Sequence, residues 1–188
     1  MVRGTLTFIS GGVRSGKTAF AENWLMNQQC SRLIYMATGE ATDAEMQLRI
    51  KRHRQDRIDY TEKWLTIEQP RQIEEILPHI LPGDGVLFDC VTTWLANEMY
   101  EGWNRGEPCF TRPNCLEEKE QQLHKTIRTL LNKGTTIVVI SNEVLDEPLS
   151  SIPDVRLYQQ WLGRLHQWFV KESNEAFELT YGLVKKWK

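Results

Sequence analysis

Residues 10–18 read SGGVRSGKT, a glycine-rich stretch that directly follows the apolar run TLTFIS at 5–10. From Gly11 to Thr18 the letters satisfy GxxxxGK[ST], and the residues that follow, TAFAENWLM, have a helical pattern. A strand, a glycine loop and a helix in this order are the setting in which these letters indicate a P-loop. The stretch therefore predicts an α/β fold that holds the phosphates of a nucleoside triphosphate.

Each residue type in this loop has a physical role. Glycines let backbone N–H groups converge on phosphate oxygens, and the start of the helix adds a partial positive charge. We expect the Lys17 ammonium to reach the β- and γ-phosphates and the Thr18 hydroxyl to ligate Mg²⁺. The predicted nucleotide-binding residues of the loop are Gly11, Gly12, Arg14, Ser15, Gly16, Lys17 and Thr18.

A P-loop that binds Mg²⁺ needs a carboxylate at the end of another apolar strand. GVLFDCV at 85–91 supplies Asp89, which we predict to be catalytic and to lie on the metal side of the site, although it could also be a strand-end cap. Glu143, at the end of TTIVVISNE, is a second candidate by position alone. The sequence leaves both roles open.

Apolar, β-rich runs alternate with helical patterns along the chain. This alternation predicts a P-loop NTPase-like α/β domain spanning 1–188, with a mainly parallel central sheet and helices on both faces. The predicted strands are 5–10, 32–38, 85–91, 135–141 and 176–182, and the predicted helices are 17–29, 43–57, 70–80, 92–101, 115–132 and 155–173. We interpret two irregular stretches, 101–114 and 144–154, as lids or substrate loops, with a surface excursion without function as the alternative for the first.

Composition excludes several classes of protein. The 188 residues suit one domain, and a net charge of -2 gives no overall attraction to nucleic acid or to an anionic membrane. No window approaches the roughly 20 apolar residues of a membrane span, and the apolar stretch at the amino terminus is too short for a signal peptide. We therefore expect a cytoplasmic protein.

The four cysteines are Cys30, Cys90, Cys109 and Cys115, and they form no CxxC pair. A disulfide between Cys109 and Cys115 is conceivable, but reduced thiols are the expectation for a cytoplasmic chain. His79, His124 and His166 have no spacing that suggests a metal site or a catalytic triad, so we interpret them as surface or core residues.

The stretch TDAEMQLRIKRHRQDR at 42–57 begins with a capping box and continues as a basic helix. Arg49, His53 and Arg57 share one face of it at spacing i, i+4, i+8. The face is either a solvated surface or an active one. In the second case the neighbouring cations keep the His53 ring neutral, so that it can attack phosphorus while the arginines hold phosphate oxygens.

Taken together, the motifs resemble the bifunctional adenosylcobinamide kinase/adenosylcobinamide-phosphate guanylyltransferase family of cobalamin biosynthesis. The matching elements, in order, are SGGVRSGKT, YMAT at 35–38, DAEMQLRIKRHRQDR at 43–57, Trp64 with TIEQP at 66–70, LFDCVTTWLAN at 87–97 and VISNEV at 139–144. They cover roughly the first three quarters of the chain.

The resemblance implies a P-loop α/β fold that catalyses two successive reactions. First, a nucleoside triphosphate, GTP or ATP, phosphorylates a hydroxyl of adenosylcobinamide; then GTP transfers GMP to that phosphate through His53. The resemblance also implies a homotrimer. The nucleotide-binding candidates outside the P-loop are Arg49, Arg57, Glu68 and Glu143.

After Glu143 the sequence departs from the family pattern. LDEPLSSIPDVRLYQQWLGRLHQ lacks the glycine-containing loop of the family, and His166-Gln167 replaces an Asn-Gln pair. Two alternatives therefore stay open: an enzyme that retains only one activity, and a P-loop switch without a covalent intermediate. Four tryptophans, Trp94, Trp103, Trp161 and Trp168, could contact a bulky corrinoid, although packing is the more ordinary use.

Overall fold

The computed structural model describes residues 3–39 and 64–188. Its strands are β1 (Leu6–Gly11), β2 (Leu33–Ala37), β3 (Trp64–Glu68), β4 (Gly85–Asp89), β5 (Thr136–Asn142), β6 (Glu175–Thr180) and β7 (Leu183–Lys186). They form one sheet in the order β3-β2-β4-β5-β1-β6-β7. Neighbours pair in parallel except for β6 and β7, which are antiparallel. The predicted mainly parallel sheet is confirmed.

The described α-helices are α1 (Lys17–Met26), α2 (Val91–Met99), α3 (Cys115–Asn132) and α4 (Pro153–Glu172). Three short 3₁₀ segments cover Ile73–His79, Trp103–Arg105 and Cys109–Thr111. The helix predicted over 70–80 is the first of these 3₁₀ segments, which contains Pro78, a residue without the backbone N–H that an α-helix would use. The helix predicted over 43–57 lies outside the described residues.

The sheet carries an apolar core on each face because successive strand residues point to opposite sides. Phe8 of β1 packs in a cluster with side chains of α2, α3 and α4, whereas the next residue, Ile9, packs in a second cluster beneath α1. The four central strands β2, β4, β5 and β1 are almost entirely buried. Their near-continuous apolar sequences follow from this two-sided burial, as predicted.

The expectation of reduced thiols was wrong for one pair. Cys109 and Cys115 form a disulfide, with their Cα atoms 5.5 Å apart. The 3₁₀ turn Cys109–Thr111 and the start of α3 at Cys115 reverse the chain over a few residues, which brings the two side chains together in the core beside α2. Cys30 and Cys90 remain free thiols.

A hydrogen bond connects the end of α2 with the start of α4. The Tyr100 hydroxyl, at the end of α2, donates a hydrogen bond of 2.7 Å to Asp154 in the first turn of α4. Burial first, and then this hydrogen bond, raise the pKa of Tyr100 to about 12.

None of the helices among residues 3–39 and 64–188 has the length and apolar character needed to cross a bilayer.

Candidate active site

The loop between β1 and α1 has the conformation that a P-loop requires. Arg14 and Gly16 have φ angles of 62° and 89°, and the Ser15 N–H donates to the Gly12 carbonyl at 3.2 Å. α1 then begins at Lys17, so the amino end of the helix faces the loop. A Cβ on Gly11 would lie 2.5 Å from the Leu179 carbonyl oxygen, so a glycine is required there by close packing.

The Lys17 side chain folds back along this loop. Its ammonium donates a hydrogen bond of 3.0 Å to the Gly12 carbonyl, and the residue is buried with only 7% of its surface exposed. A lysine in this position places a fixed positive charge beside the amino end of α1. Positive charge and converging N–H groups make the loop suited to phosphate oxygens.

Asp89 lies opposite the loop at the end of β4. Its Oδ2 accepts hydrogen bonds from the Thr18 hydroxyl at 3.4 Å and from the Tyr35 hydroxyl at 2.5 Å. Two of the three residues, Thr18 and Asp89, were predicted as metal-side groups. Tyr35 belongs to the YMAT stretch, but nothing in the sequence assigned it a role, because contact between the ends of β2 and β4 depends on strand order.

Hydroxyl and carboxylate oxygens are the ligands that Mg²⁺ prefers, usually one or two from the protein with the rest from phosphates and water. The pair Thr18 and Asp89 fits that pattern. Among the described residues, no group of three or more His, Cys, Asp or Glu side chains forms a metal cage. The geometry therefore suits a metal shared with a phosphate ligand.

Thr38 fixes the backbone of Asp89 and Cys90. Its hydroxyl approaches the carbonyls of Asp89 and Cys90 at 3.0 and 2.9 Å, and the Cys90 N–H donates to it at 2.8 Å. Asn97 of α2 in turn donates to the Thr38 carbonyl at 2.8 Å. These polar contacts hold the ends of β2 and β4 together, and sequence reasoning missed both Thr38 and Asn97.

Glu143 lies next to the P-loop, but its side chain is engaged locally. Its N–H donates to the Gly11 carbonyl at 2.9 Å, while its Oε1 accepts a hydrogen bond of 2.6 Å from the Leu145 N–H. The structure thus brings the backbone of Glu143 to the site and turns one carboxylate oxygen toward the 144–154 loop. Its role in nucleotide binding stays a prediction.

Glu68 is the last residue of β3 and lies at the carboxyl ends of the parallel strands, where the P-loop also lies. Ala37 of β2 pairs with Glu68 on one side and with Asp89 on the other. One strand, β2, therefore separates the two carboxylate-bearing positions, and Glu68 is not part of the Thr18, Asp89 and Tyr35 cluster. Arg49, His53 and Arg57 fall within 40–63, outside the described residues. Their roles stay predictions.

Two of the remaining histidines are partly buried and pack against aromatic side chains. His166 of α4 forms a hydrogen bond of 2.7 Å with the Ser141 hydroxyl and packs edge-on against Phe8, and burial lowers the pKa of His166 to about 4. The His124 ring stacks on Trp168 at 3.8 Å, and burial is again the main reason that its pKa falls to about 4. Both imidazoles are neutral near pH 7.

The tryptophans serve mainly as packing groups. Trp94 and Trp161 are buried in the core, and Trp168 packs against it. Trp103 is different, because 59% of its surface is exposed while its ring edge contacts Tyr100. Only Trp103 of the four therefore offers a largely open aromatic face.

Fold and loop together define a P-loop nucleotide-binding α/β protein. Solved structures with the same fold include the flagellar accessory protein FlaH of Methanocaldococcus jannaschii, with a TM-score of 0.52, 14% identity and coverage of 99% of this chain and 77% of that one. An ATPase of a bacterial type III secretion system gives a TM-score of 0.53 at 13% identity, covering 95% of this chain and 51% of its own. These likenesses concern the fold alone.

The sequence identifies the family. The cobinamide kinase / cobinamide phosphate guanyltransferase family matches residues 7–186, and the chain belongs to it. The match extends through the segment after Glu143, so the altered residues there do not remove the carboxyl-terminal part from the family.

Relatives named as bifunctional adenosylcobalamin biosynthesis proteins cover nearly the whole chain. CobP of Pseudomonas aeruginosa is 39% identical over 179 residues, which is 93% of this chain and 92% of the relative. CobU of Escherichia coli is 28% identical over 188 residues, or 97% and 99%. CobU of Salmonella typhimurium is 24% identical with the same coverage.

Proposed function

We propose that this P-loop serves both reactions of the family, with GTP as the nucleotide and cobinamide and its phosphate as acceptors. The observation that supports the proposal most directly is the P-loop with Lys17 beside it and Thr18 facing Asp89. ATP can take the place of GTP in the first step, because the described loop contacts would involve phosphates and not the base.

In the kinase step the acceptor hydroxyl attacks the γ-phosphorus of GTP. The bond from that phosphorus to the β–γ bridging oxygen breaks, GDP leaves, and the hydroxyl proton is released. Lys17 and the N–H groups of the loop stabilise the charge on the phosphate oxygens, which is the main contribution a protein makes to phosphoryl transfer.

In the guanylyltransferase step a ring nitrogen of His53 attacks the α-phosphorus of a GTP molecule, and pyrophosphate leaves. A phosphate oxygen of cobinamide phosphate then attacks the same phosphorus and breaks the N–P bond. The product is cobinamide-GDP, and His53 is regenerated. Arg49 and Arg57 would hold phosphate oxygens during this transfer.

Bound Mg²⁺ would neutralise charge that develops between the β- and γ-phosphates. Thr18 and Asp89 would hold it, and the Tyr35 hydroxyl would keep the Asp89 carboxylate in one orientation. This assignment rests on oxygen ligands that fit a hard cation.

The segment after Glu143 offers a surface for the corrinoid. It starts beside Gly11 and exposes Val144, Leu149 and Ile152. We assign this apolar surface to the edge of the corrin ring, because ligand sites combine apolar area with a few polar anchors.

A homotrimer, the assembly that the resemblance implies, predicts a sedimenting species of three times the 22.0 kDa chain mass.

The two activities are best assayed separately. With GTP labelled at the γ-phosphorus, label should move to cobinamide; with GTP labelled at the α-phosphorus, it should move to supplied cobinamide phosphate. Transfer in only one assay would support the alternative that the enzyme retains a single activity. The altered sequence at 144–167 is the reason to consider this alternative. Nucleotide binding with no transfer in either assay would contradict the proposed function and leave a P-loop switch.

A further inference from the structure

The hairpin of β6 and β7 runs alongside the P-loop. Gly11, at the end of β1, pairs with Leu179 of β6, so residues after 179 lie at the level of the loop. The Gly182 N–H then donates a hydrogen bond of 3.2 Å to the Ser15 carbonyl. The turn at the tip of the hairpin is therefore attached to the phosphate-binding loop itself.

Tyr181 occupies this tip. Its φ angle is 51°, and 96% of its surface is exposed. Before the turn, Phe177 and Leu179 pack in the cluster beneath α1, the helix that starts at the P-loop. The chain thus leaves the core on the α1 face and presents, beside the loop, an aromatic ring that belongs to neither core cluster of the described residues.

We propose that Tyr181 stacks on the base of the nucleotide bound at the P-loop. The inference rests on the proposed function, because it presumes that the loop holds the triphosphate of a nucleotide. Once the loop fixes the phosphates, the ribose and base must extend beyond it, and Tyr181 is an exposed aromatic side chain on a turn bonded to the loop. A base offers a flat apolar face to such a ring.

Stacking of this kind does not depend on which base is present, because every base has a π-face. Tyr181 would therefore strengthen binding of GTP and ATP alike, while discrimination between them would come from other groups. The phosphate contacts of Lys17 and the loop would be independent of Tyr181. Loss of the Tyr181 ring should therefore weaken the binding of a nucleotide but not that of a polyphosphate without a base.

The experiment measures the affinity of the full-length chain for GTP and for inorganic tripolyphosphate, both with Mg²⁺, by calorimetry. In Tyr181→Ala we expect GTP binding to weaken about fivefold or more, the low end of a base–aromatic stack, and tripolyphosphate binding to stay unchanged. Tyr181→Phe keeps the ring and should retain GTP affinity. Leu183→Ala, which removes an exposed side chain from the same hairpin, should change neither affinity.

Three outcomes would overturn the proposal: unchanged GTP affinity in Tyr181→Ala, an equal loss for both ligands, or a Phe variant as weak as the Ala variant. An equal loss would mean that the hairpin only supports the loop. Wild-type protein that binds GTP but converts no cobinamide would defeat the proposed function and leave the stacking test intact. Wild-type protein that binds no GTP would defeat both.

Discussion

Gly11 is the residue at which the P-loop depends most directly on close packing. In Gly11→Ala the new methyl would meet the Leu179 carbonyl oxygen at 2.5 Å and the Ser15 hydroxyl at 2.7 Å. We expect a loss of about 1 to 3 kcal/mol in the free energy of unfolding, the usual cost of overpacking. Thermal or denaturant unfolding measures it.

Gly12→Ala is the matched control, because a methyl at Gly12 would meet no atom within 4 Å. Its unfolding free energy should stay within about 1 kcal/mol of wild type. Equal stability of the two variants would contradict the packing argument at Gly11.

Tyr35 tests the orientation of the Asp89 carboxylate. Tyr35→Phe keeps the buried ring and removes the hydroxyl that donates to Asp89. If Asp89 holds Mg²⁺, loss of this supporting hydrogen bond should raise the Mg²⁺ concentration needed for half-maximal activity by about tenfold or more. GTP binding measured without Mg²⁺ should be unchanged, and identical Mg²⁺ titrations for both proteins would refute the positioning role.

At the scale of elements, His166 couples the packing of α4 on β5 to pH. Because burial lowers its pKa to about 4 in the folded chain, the unfolded chain, with an ordinary pKa near 6.5, binds the proton first on acidification. Stability should therefore be fully present above about pH 6.5 and fall as the pH drops toward 4, by up to about 1.4 kcal/mol per pH unit.

His166→Gln isolates this contribution, since an amide can keep the hydrogen bond to Ser141 without titrating. We expect its unfolding free energy, measured in denaturant at several pH values, to lose less on acidification than that of wild type. Parallel curves for the two proteins would show that His166 does not titrate differently on folding.

The disulfide between Cys109 and Cys115 braces the junction between the 101–114 stretch and α3. Its cysteines are separated by six positions in the sequence, and for such a short closed loop the loss of chain entropy in the unfolded state gives a stabilisation of about 2 kcal/mol. Reduction should therefore lower the melting temperature of the wild-type chain and of Cys30→Ser, but leave a Cys109→Ala/Cys115→Ala variant unmoved. A wild-type melting temperature indifferent to reductant would contradict the bridge.

Elements differ in how far local sequence determined them. The β1, P-loop and α1 unit was predictable because its pattern is contiguous and each residue type has one physical reason. β3 and β7 were not predicted, since β3 is only partly buried and β7 is exposed, so that neither has a buried apolar run. Reduced thiols were expected at Cys109 and Cys115 because the chain was predicted to be cytoplasmic, and the turn that brings the two cysteines together lies in the core beside α2, which local sequence does not reveal.

At the scale of the whole molecule, the site combines residues that the sequence could name separately but not place together. Asp89 was predicted from its strand end, whereas its neighbour Tyr35 follows from the order of β2 and β4 in the sheet. The same holds for Tyr181, which the sequence pattern placed inside a strand and which the structure places in a turn beside the P-loop. Long-range strand order, and not local pattern, decides such contacts.

The central claim is that GMP passes through His53, and one measurement tests it directly. The chain is incubated with Mg²⁺ and GTP labelled at the α-phosphorus, denatured, and examined for label that mild acid removes and base does not. We predict such label in wild type and in His79→Ala, a change at an exposed histidine, and none in His53→Ala. Equal labelling of His53→Ala, or no label on a wild-type chain that binds GTP, would contradict the account.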